Sequence, residues 1–280
     1  MKKRSIMLLL LLAAVLTLIL LVCTGNNPKV TEYEISRTEI PVEFDGYRIV
    51  QISDLHNATF GEDNEGLLEM IRNASPDIII LTGDLVDSRR TDIRTALDFA
   101  ERVAEIAPTY YVSGNHESRI AAYPMLVTGL EEAGIIVLEN EAITLARDGA
   151  QICLAGLMDP AFETQYLVGD EAAVMAKHIS ELTGKGYTIL LSHRPELFDV
   201  YAAAGANLVF SGHAHGGQFR LPWIGGLYAP GQGFLPEYDA GIFTEGETTM
   251  VVSRGLGNSV RVPRILNPPE IVVVTLNCNG

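Results

Sequence analysis

The sequence has little cysteine, little positive charge and a single tryptophan. Cys23, Cys153 and Cys278 are too few and too scattered for a disulfide framework. One pairing stays open outside the cytoplasm, Cys153 with Cys278, although Cys153 sits in the apolar segment "QICLAGL" and reads as a buried core thiol. Lysine and arginine number 20 against 35 acidic residues, for a formal charge of −15. The first four residues hold three of those positive charges, Lys2, Lys3 and Arg4, which leaves the remainder at −18. That balance excludes generic nucleic-acid binding, which needs a basic surface. It does not exclude a phosphate substrate, provided cations sit in the site. The chain shows no internal repeat and no low-complexity linker in its interior, so 280 residues read as one domain with a substantial core.

Export signals are also sparse. No twin arginine precedes the apolar run from Ile6 to Cys23, and no Ala-x-Ala site follows it. As a helix that run spans roughly 27 Å, close to the bilayer core of about 30 Å. A cleaved signal has an apolar region of about 7–15 residues, so the length favours an uncleaved anchor. Lipid attachment at Cys23 is disfavoured by the bulk of Val22. The basic cluster before the run places the remainder on the extracytoplasmic side of a cell membrane, with a single pass. The expected organisation is a basic stub and transmembrane signal anchor over 1–24, a linker over 25–29 and one domain over 30–280.

Along that domain, "VTEYEIS" alternates like a strand. Short β-rich runs then recur: "YRIVQIS", "DIIILTG", "PTYYVSG", "YTILLSH" and "NLVFSGH". Helical patterns lie between several of them. Leu67, Leu68 and Ile71 mark one, and Ile93, Leu97, Ala100, Val103 and Ala104 a second. Val174 and Ile179 mark a third, and "RPELFDVYAAAG" predicts a helix ending at Gly205. Strands alternating with helices imply an α/β domain. The glycine-rich C-terminal third predicts β hairpins, and "EIVVVTLNC" a final strand.

The polar residues fall at the ends of these runs. Five runs lead into Asp54-Leu55-His56, Asp84-Leu85-Val86-Asp87, Asn115-His116-Glu117, His193 and His213-Ala214-His215. In an α/β sheet the carboxyl ends of strands line the ligand crevice. A lone aspartate after a strand is usually a cap or turn residue, and a lone histidine usually a satisfied core residue. Turn chemistry does not require histidine, yet these turns hold five of the six in the chain. The sixth, His178, lies mid-helix beside Lys177 with no motif around it and reads as surface. Asp54, His56, Asp84, Asn115, His193, His213 and His215 make seven candidate ligands. That is too many for one ion and enough for two that share a carboxylate. Nitrogen with carboxylate suits Zn, Fe or Mn better than Ca.

Asp54-x-His56, Gly83-Asp84-x-x-Asp87, Gly114-Asn115-His116-Glu117, His193 and Gly212-His213-x-His215 stand in the order of the calcineurin-like metallophosphoesterases. The chain resembles that family from about Tyr47 to Leu276. The resemblance implies a four-layer α/β/β/α sandwich of two mixed sheets flanked by helices. It implies that Asp54, His56 and His215 hold one metal ion, that Asn115, His193 and His213 hold the other, and that Asp84 bridges them. His213 and His215 would thus serve different ions. In that family a hydroxide held between two divalent or trivalent ions (Mn, Fe or Zn) attacks phosphorus in line. His116 resembles the histidine near the leaving oxygen, and Asp87 the partner that orients it. Purple acid phosphatases carry a tyrosine just after the Gly-Asp pair; here Leu85 follows, so an iron-tyrosinate centre is not expected.

"GHAHGGQFRLP" and "SRGLGNSVRVPRILNPPEIVVVTL" resemble a membrane-anchored bacterial branch of the family. That branch includes phosphodiesterases and enzymes cleaving UDP-diacylglucosamine at its pyrophosphate. The implied substrate is a phosphodiester or pyrophosphate, including a lipid-linked one. A phosphomonoesterase or protein phosphatase uses the same ligands and stays open, as does an inactive scaffold of the same fold. The segment "LPWIGGLYAPGQGF" after the His213–His215 corner has two readings. One is ordinary hairpin packing. The other is an apolar lip that accepts acyl chains, with Trp223 in the lip and Arg220 on a phosphate.

Overall fold

The computed structural model describes residues 2–23, 27–164, 170–183, 186–260 and 262–279. Thr24 at the end of the expected anchor, Gly25 and Asn26 of the expected linker, and the Cys23 side chain lie outside that description.

Helix α1 (Lys2–Cys23) is apolar all round. Lys3–Leu20 is long and apolar enough to cross a membrane, and none of that window is buried against the protein. Thr17 returns its hydroxyl to the Ala13 carbonyl at 2.8 Å, which satisfies that group within the helix.

The domain follows as β1 (Lys29–Arg37), β2 (Tyr47–Ile52), α2 (Glu65–Asn73), β3 (Ile78–Thr82), α3 (Ile93–Ala104), β4 (Thr109–Val112), α4 (Tyr123–Glu132), β5 (Ile136–Val137), β6 (Glu141–Arg147) and β7 (Ala150–Gly156). Then come α5 (Ala161–Thr164), α6 (Glu171–Leu182), β8 (Thr188–Leu191), α7 (Phe198–Ala203) and β9 (Leu208–Ser211). Two small hairpins follow, β10 (Arg220–Leu221) with β11 (Gly225–Gly226), and β12 (Tyr228–Ala229) with β13 (Gly233–Phe234). The last strands are β14 (Gly241–Glu245), β15 (Thr248–Val252) and β16 (Glu270–Cys278).

Two six-stranded mixed sheets form, in the orders β1-β16-β2-β3-β4-β5 and β14-β15-β9-β8-β7-β6. Alternation along each strand builds the layers. Ile49, Ile80, Ile189, Phe210 and Val272 point between the sheets. Their neighbours Val50, Ile79 and Val273 face α2, α3 and α4 through Leu68, Ile71, Phe99 and Leu126. Leu190 and Val209 face α6 and α7 through Met175, Ile179, Phe198 and Tyr201. Both faces of the central strands are therefore buried, which is why those strands read as unbroken apolar runs. This is the expected four-layer arrangement.

Helix starts follow local chemistry. Asp92 caps α3 by accepting from the Thr95 amide, and Asp170 caps α6 by accepting from Ala172. The fully buried face of α3 is Ala96, Phe99, Ala100 and Val103; Ile93, Leu97 and Ala104 pack at its margin. Ala100 and Val103 are buried as expected, while Ala96 and Phe99 take the buried places expected of Ile93 and Leu97. Helix α4, with Pro124 in its first turn, was not legible in the sequence. The antiparallel pair β6–β7 was not either. The Cys153–Cys278 pairing does not form: both thiols are free and lie on different sheets. Cys153 is half-buried, not fully buried, with its Sγ 3.8 Å from the Leu182 carbonyl. His178 is partly exposed and pairs with Glu163 at 2.5 Å.

The sheets end together. β2, β3 and β4 run parallel, as do β8 and β9, and their carboxyl ends share one edge of the sandwich. Gln51 joins the sheets beneath that edge, donating to Thr82 Oγ1 and to the Ser211 carbonyl, both at 2.9 Å. β1 lies parallel to β16, and β16 antiparallel to β2. Lys29, where the chain enters from α1, therefore stands at this same edge.

Candidate metal centre

Each strand end turns sharply into its polar residue. Asp54, His56, Asp84, His213 and His215 all adopt positive φ, between 47° and 63°. A left-handed conformation is uncommon outside glycine, and five such residues at one edge mark strain held by the surrounding fold. Two glycines permit the loops to close. A Cβ at Gly114 would fall on the Asp84 carboxylate, and one at Gly212 on the Ser53 hydroxyl.

The turns bring the buried side chains into two adjoining groups. Asp54, His56 and His215 form one; Asp84, His193 and His213 form the other; the ligand atoms within each lie within 4.8 Å of one another. His56 Nε2 is 3.1 Å from His215 Nε2, and His215 Nε2 is 3.4 Å from Asp54 Oδ1. Asp84 stands between the groups, its Oδ2 3.6 Å from His56 Nε2 and 3.3 Å from His193 Nε2. Asn115 is buried beside the second group. With its amide nitrogen 2.8 Å from His213 Nδ1, its oxygen takes the Arg119 guanidinium at 3.1 and 3.2 Å.

These groups are fixed from behind. Ser53 Oγ donates to Asp54 Oδ2 at 2.6 Å, and the His213 amide donates to both Asp54 oxygens. His193 Nδ1 lies 2.7 Å from the Thr82 carbonyl, which accepts its proton and aims Nε2 inward. Glu117 accepts from the amides of Gly114, Asp84 and Val86. Asn267 donates to the His215 carbonyl at 2.7 Å.

The electrostatics suit cations. Burial lowers His56 to about 4 and holds His213 and His215 well below the ordinary imidazole range, so all three are neutral at pH 7 with a lone pair to offer. Burial pushes Asp54 up to about 6. Burial would also raise Asp84, but His193 and His56 hold it well below the usual carboxylate range. His193 runs the other way. Burial would lower it, yet Asp84 and Asp54 hold it up to about 10. Its proton thus offsets two buried carboxylates, a task a bound cation performs better. His213 Nε2 is buried with no hydrogen-bond partner, a costly arrangement that ligation to an ion removes. Neutral imidazoles with carboxylates and no thiolate suit Zn, Fe or Mn.

His116 sits over this centre, with its ring 4.5 Å from that of His56. The Ser88 amide donates to His116 Nδ1 at 3.0 Å. A backbone N–H can only donate, so the neutral ring carries its proton on Nε2. Asp87, the expected orienting partner, is 3.6 Å from Nδ1, beyond a hydrogen bond. Its carboxylate is taken by the Arg89 amide at 2.9 Å and the Arg90 guanidinium at 3.1 Å. Ser88, which no motif singled out, fills the orienting position.

The two candidate substrate residues are not brought into the centre. Arg220 Nη1 is spent on Asp239 at 2.9 Å and the Gly216 carbonyl at 3.0 Å. Trp223 stands fully exposed, at 102% relative accessibility, on the turn between β10 and β11. An apolar cavity of about 350 Å³, bounded by His215, Phe219, Leu227, Tyr228 and Phe234, lies beside the metal groups instead. Arg119 and Glu117 are the residues that motif reading passed over. Arg119 gave no signal, because an exposed arginine after a motif looks like any solvated one. Glu117 was visible within "GNHE" but carried no role.

The family model for calcineurin-like phosphoesterases matches residues 47–217. The uncharacterized metallophosphoesterase YkuE of Bacillus subtilis is 32% identical over 256 residues, covering 89% of this chain and 85% of its own. The phosphodiesterase YaeI of Escherichia coli is 29% identical over 240 residues, covering 82% of each chain. A transmembrane protein with a metallophosphoesterase domain from Danio rerio is 30% identical over 268 residues, 91% of this chain but 59% of that one. Among solved structures, the sulfate thiohydrolase SoxB of Thermus thermophilus superposes with a TM-score of 0.52 at 11% identity, over 84% of this chain and 57% of that one. At that identity the likeness speaks for the fold alone.

Proposed function

The chain belongs to the calcineurin-like phosphoesterase family, and from that premise we propose that it hydrolyses a phosphodiester or pyrophosphate bond at a two-metal centre. The observation that carries this reading is the pair of adjoining donor groups with Asp84 between them. Asp54, His56 and His215 would hold one ion and His193, His213 and Asn115 the other, with Asp84 placed to serve both. To serve as a ligand Asn115 would turn its oxygen inward, which would free the Arg119 guanidinium. When bound, the ions supply Lewis acidity toward the phosphoryl oxygens and lower the pKa of water.

The chain's own residues do the rest. Ser53, Thr82 and Glu117 hold the donors in place, and His116 presents the proton on Nε2 to the leaving oxygen. Asp87 enters this reading through Arg89 and Arg90, by shaping the loop that carries Ser88. Arg119, once released, offers its guanidinium fork to a phosphate oxygen pair.

A diester or pyrophosphate substrate is favoured over a monoester by the likeness to a relative named a phosphodiesterase. A lipid-linked substrate such as UDP-diacylglucosamine is supported by the apolar cavity at His215 and by α1. α1 is read as a single-pass anchor in the cell membrane, with the domain outside the cytoplasm. The test is a panel assay of full-length protein in detergent micelles with Mn, Fe or Zn against a nitrophenyl diester, a nitrophenyl monoester and a diacylated sugar pyrophosphate. Turnover of the diester or pyrophosphate above the monoester supports the reading. A preference for the monoester contradicts it.

A further inference from the structure

The exposed apolar side chains of this protein are not scattered. Among the described residues outside α1, most of the large ones lie on or beside β10–β13, Trp223, Ile224 and Phe234 foremost, with Leu221, Tyr228, Leu235, Val260 and Val262. Phe234 is 84% exposed and meets the Tyr228 ring edge-on at 5.4 Å. From Phe219 to Pro236 the sequence holds one charged residue, Arg220, and that one is paired with Asp239. The two hairpins of a chain with net charge −15 therefore present an apolar face whose one charge is paired. Contiguous exposed apolar surface of this kind marks a contact site.

The place where the chain enters the domain identifies the contact. Lys29 donates its amide to the Pro269 carbonyl at 2.9 Å. Two residues earlier, Asn267 donates to the His215 carbonyl. The Leu227 amide, between the two small hairpins, donates to the Gly217 carbonyl at 3.1 Å. Entry point, metal ligand and apolar hairpins are thus joined by consecutive hydrogen bonds at one edge of the sandwich. From Cys23 to Lys29 a fully extended chain reaches about 20 Å. If α1 spans a bilayer, that edge is held within about 20 Å of its surface. No other edge is so constrained.

We infer that the two hairpins, with Val260 and Val262 beside them, form a bilayer-docking lip, inserted at the headgroup level of the leaflet that α1 leaves. The inference rests on the reading of α1 as an anchor. Trp and Tyr favour that level, where a ring is apolar on its body and polar at its tip. Docked in this way, the mouth of the metal centre opens onto lipid headgroups. Phosphodiester or pyrophosphate groups carried by lipids reach it by lateral diffusion, and the acidic remainder of the surface stays in water.

The chain carries its own probe, since Trp223 is its only tryptophan. Full-length protein is reconstituted into phosphatidylcholine–phosphatidylglycerol vesicles, with and without lipids brominated near the headgroup end of the acyl chain. Flotation with the vesicles reports the anchor; tryptophan emission reports the lip. The expected result is flotation, a blue-shifted emission, loss of most of that emission with brominated lipid, and protection from aqueous iodide. Phe234→Glu should restore water-like, iodide-quenched emission without loss of flotation. Flotation with water-like wild-type emission overturns docking while leaving the anchor intact. A blue shift without bromine quenching shows the lip covered by a second copy or another protein, and overturns it too. Equal bromine quenching in Phe234→Glu shows mere proximity through the tether and likewise overturns docking. Failure to float removes the anchor and the docking together. None of these outcomes depends on hydrolysis, so the phosphoesterase reading stands or falls separately.

Discussion

The Glu117 carboxylate accepts the backbone amide of Asp84 at 2.8 Å. The same carboxylate takes the amides of Gly114 at 2.7 Å and Val86 at 3.1 Å, so one buried side chain sets the spacing of the two loops that carry Asp84 and Asn115. Glu117→Gln replaces an acceptor with a donor and leaves at least one buried amide unpaired. The expected loss is about 1–3 kcal/mol of stability, read as a fall in Tm, together with roughly 10–100-fold weaker metal binding. Unchanged melting and unchanged metal affinity would show that the loops hold without it.

Asp84→Asn removes the carboxylate that stands between both donor groups. Nearly all hydrolysis of a nitrophenyl diester should disappear, with fewer ions retained per chain. Wild-type turnover in the variant would end the bridging assignment.

His116→Ala should hurt substrates with poor leaving groups most. General acid catalysis is worth about 10²–10⁴-fold, and an activated nitrophenyl ester needs less of it than an alkyl ester. Comparison of the two losses decides the matter, and an equal loss on both would instead assign His116 to positioning. Asp87→Asn should cost less than His116→Ala, because Ser88 and not Asp87 contacts the ring.

Metal loading should release a proton. In the ion-free protein His193 is held up to about 10, so at neutral pH it is charged, and its Nε2 must lose that proton to ligate. Affinity should therefore rise with pH, roughly tenfold per unit for one released proton. Titration calorimetry in buffers of different ionisation enthalpy, between about pH 6 and about pH 8, measures the proton count. Zero released protons would place the ion elsewhere than on His193.

Much of this was legible because both determinants are local. The strands β2, β3, β4, β8 and β9 announced themselves as apolar runs, and their polar ends held nearly every histidine in the chain. What stayed hidden depends on contacts across the fold. Phe99 is buried on α3 and Leu97 packs only at its margin, which packing against the sheet decides. Ser88 orients His116 through a backbone amide, and a backbone donor carries no residue signature. Arg220 looked free to meet a phosphate, but its partner Asp239 arrives from another loop. The apolar residues near Trp223 were visible, whereas their exposure and shared edge with Lys29 required the sheet order.

The central claim is that this edge holds two ions, and counting them tests it most directly. Elemental mass spectrometry of full-length protein purified with added Mn or Zn should find two ions per chain. His215→Ala, which disrupts only the Asp54–His56–His215 group, should retain one and lose diester hydrolysis. One ion per chain in the wild type, or two in His215→Ala, would contradict the claim.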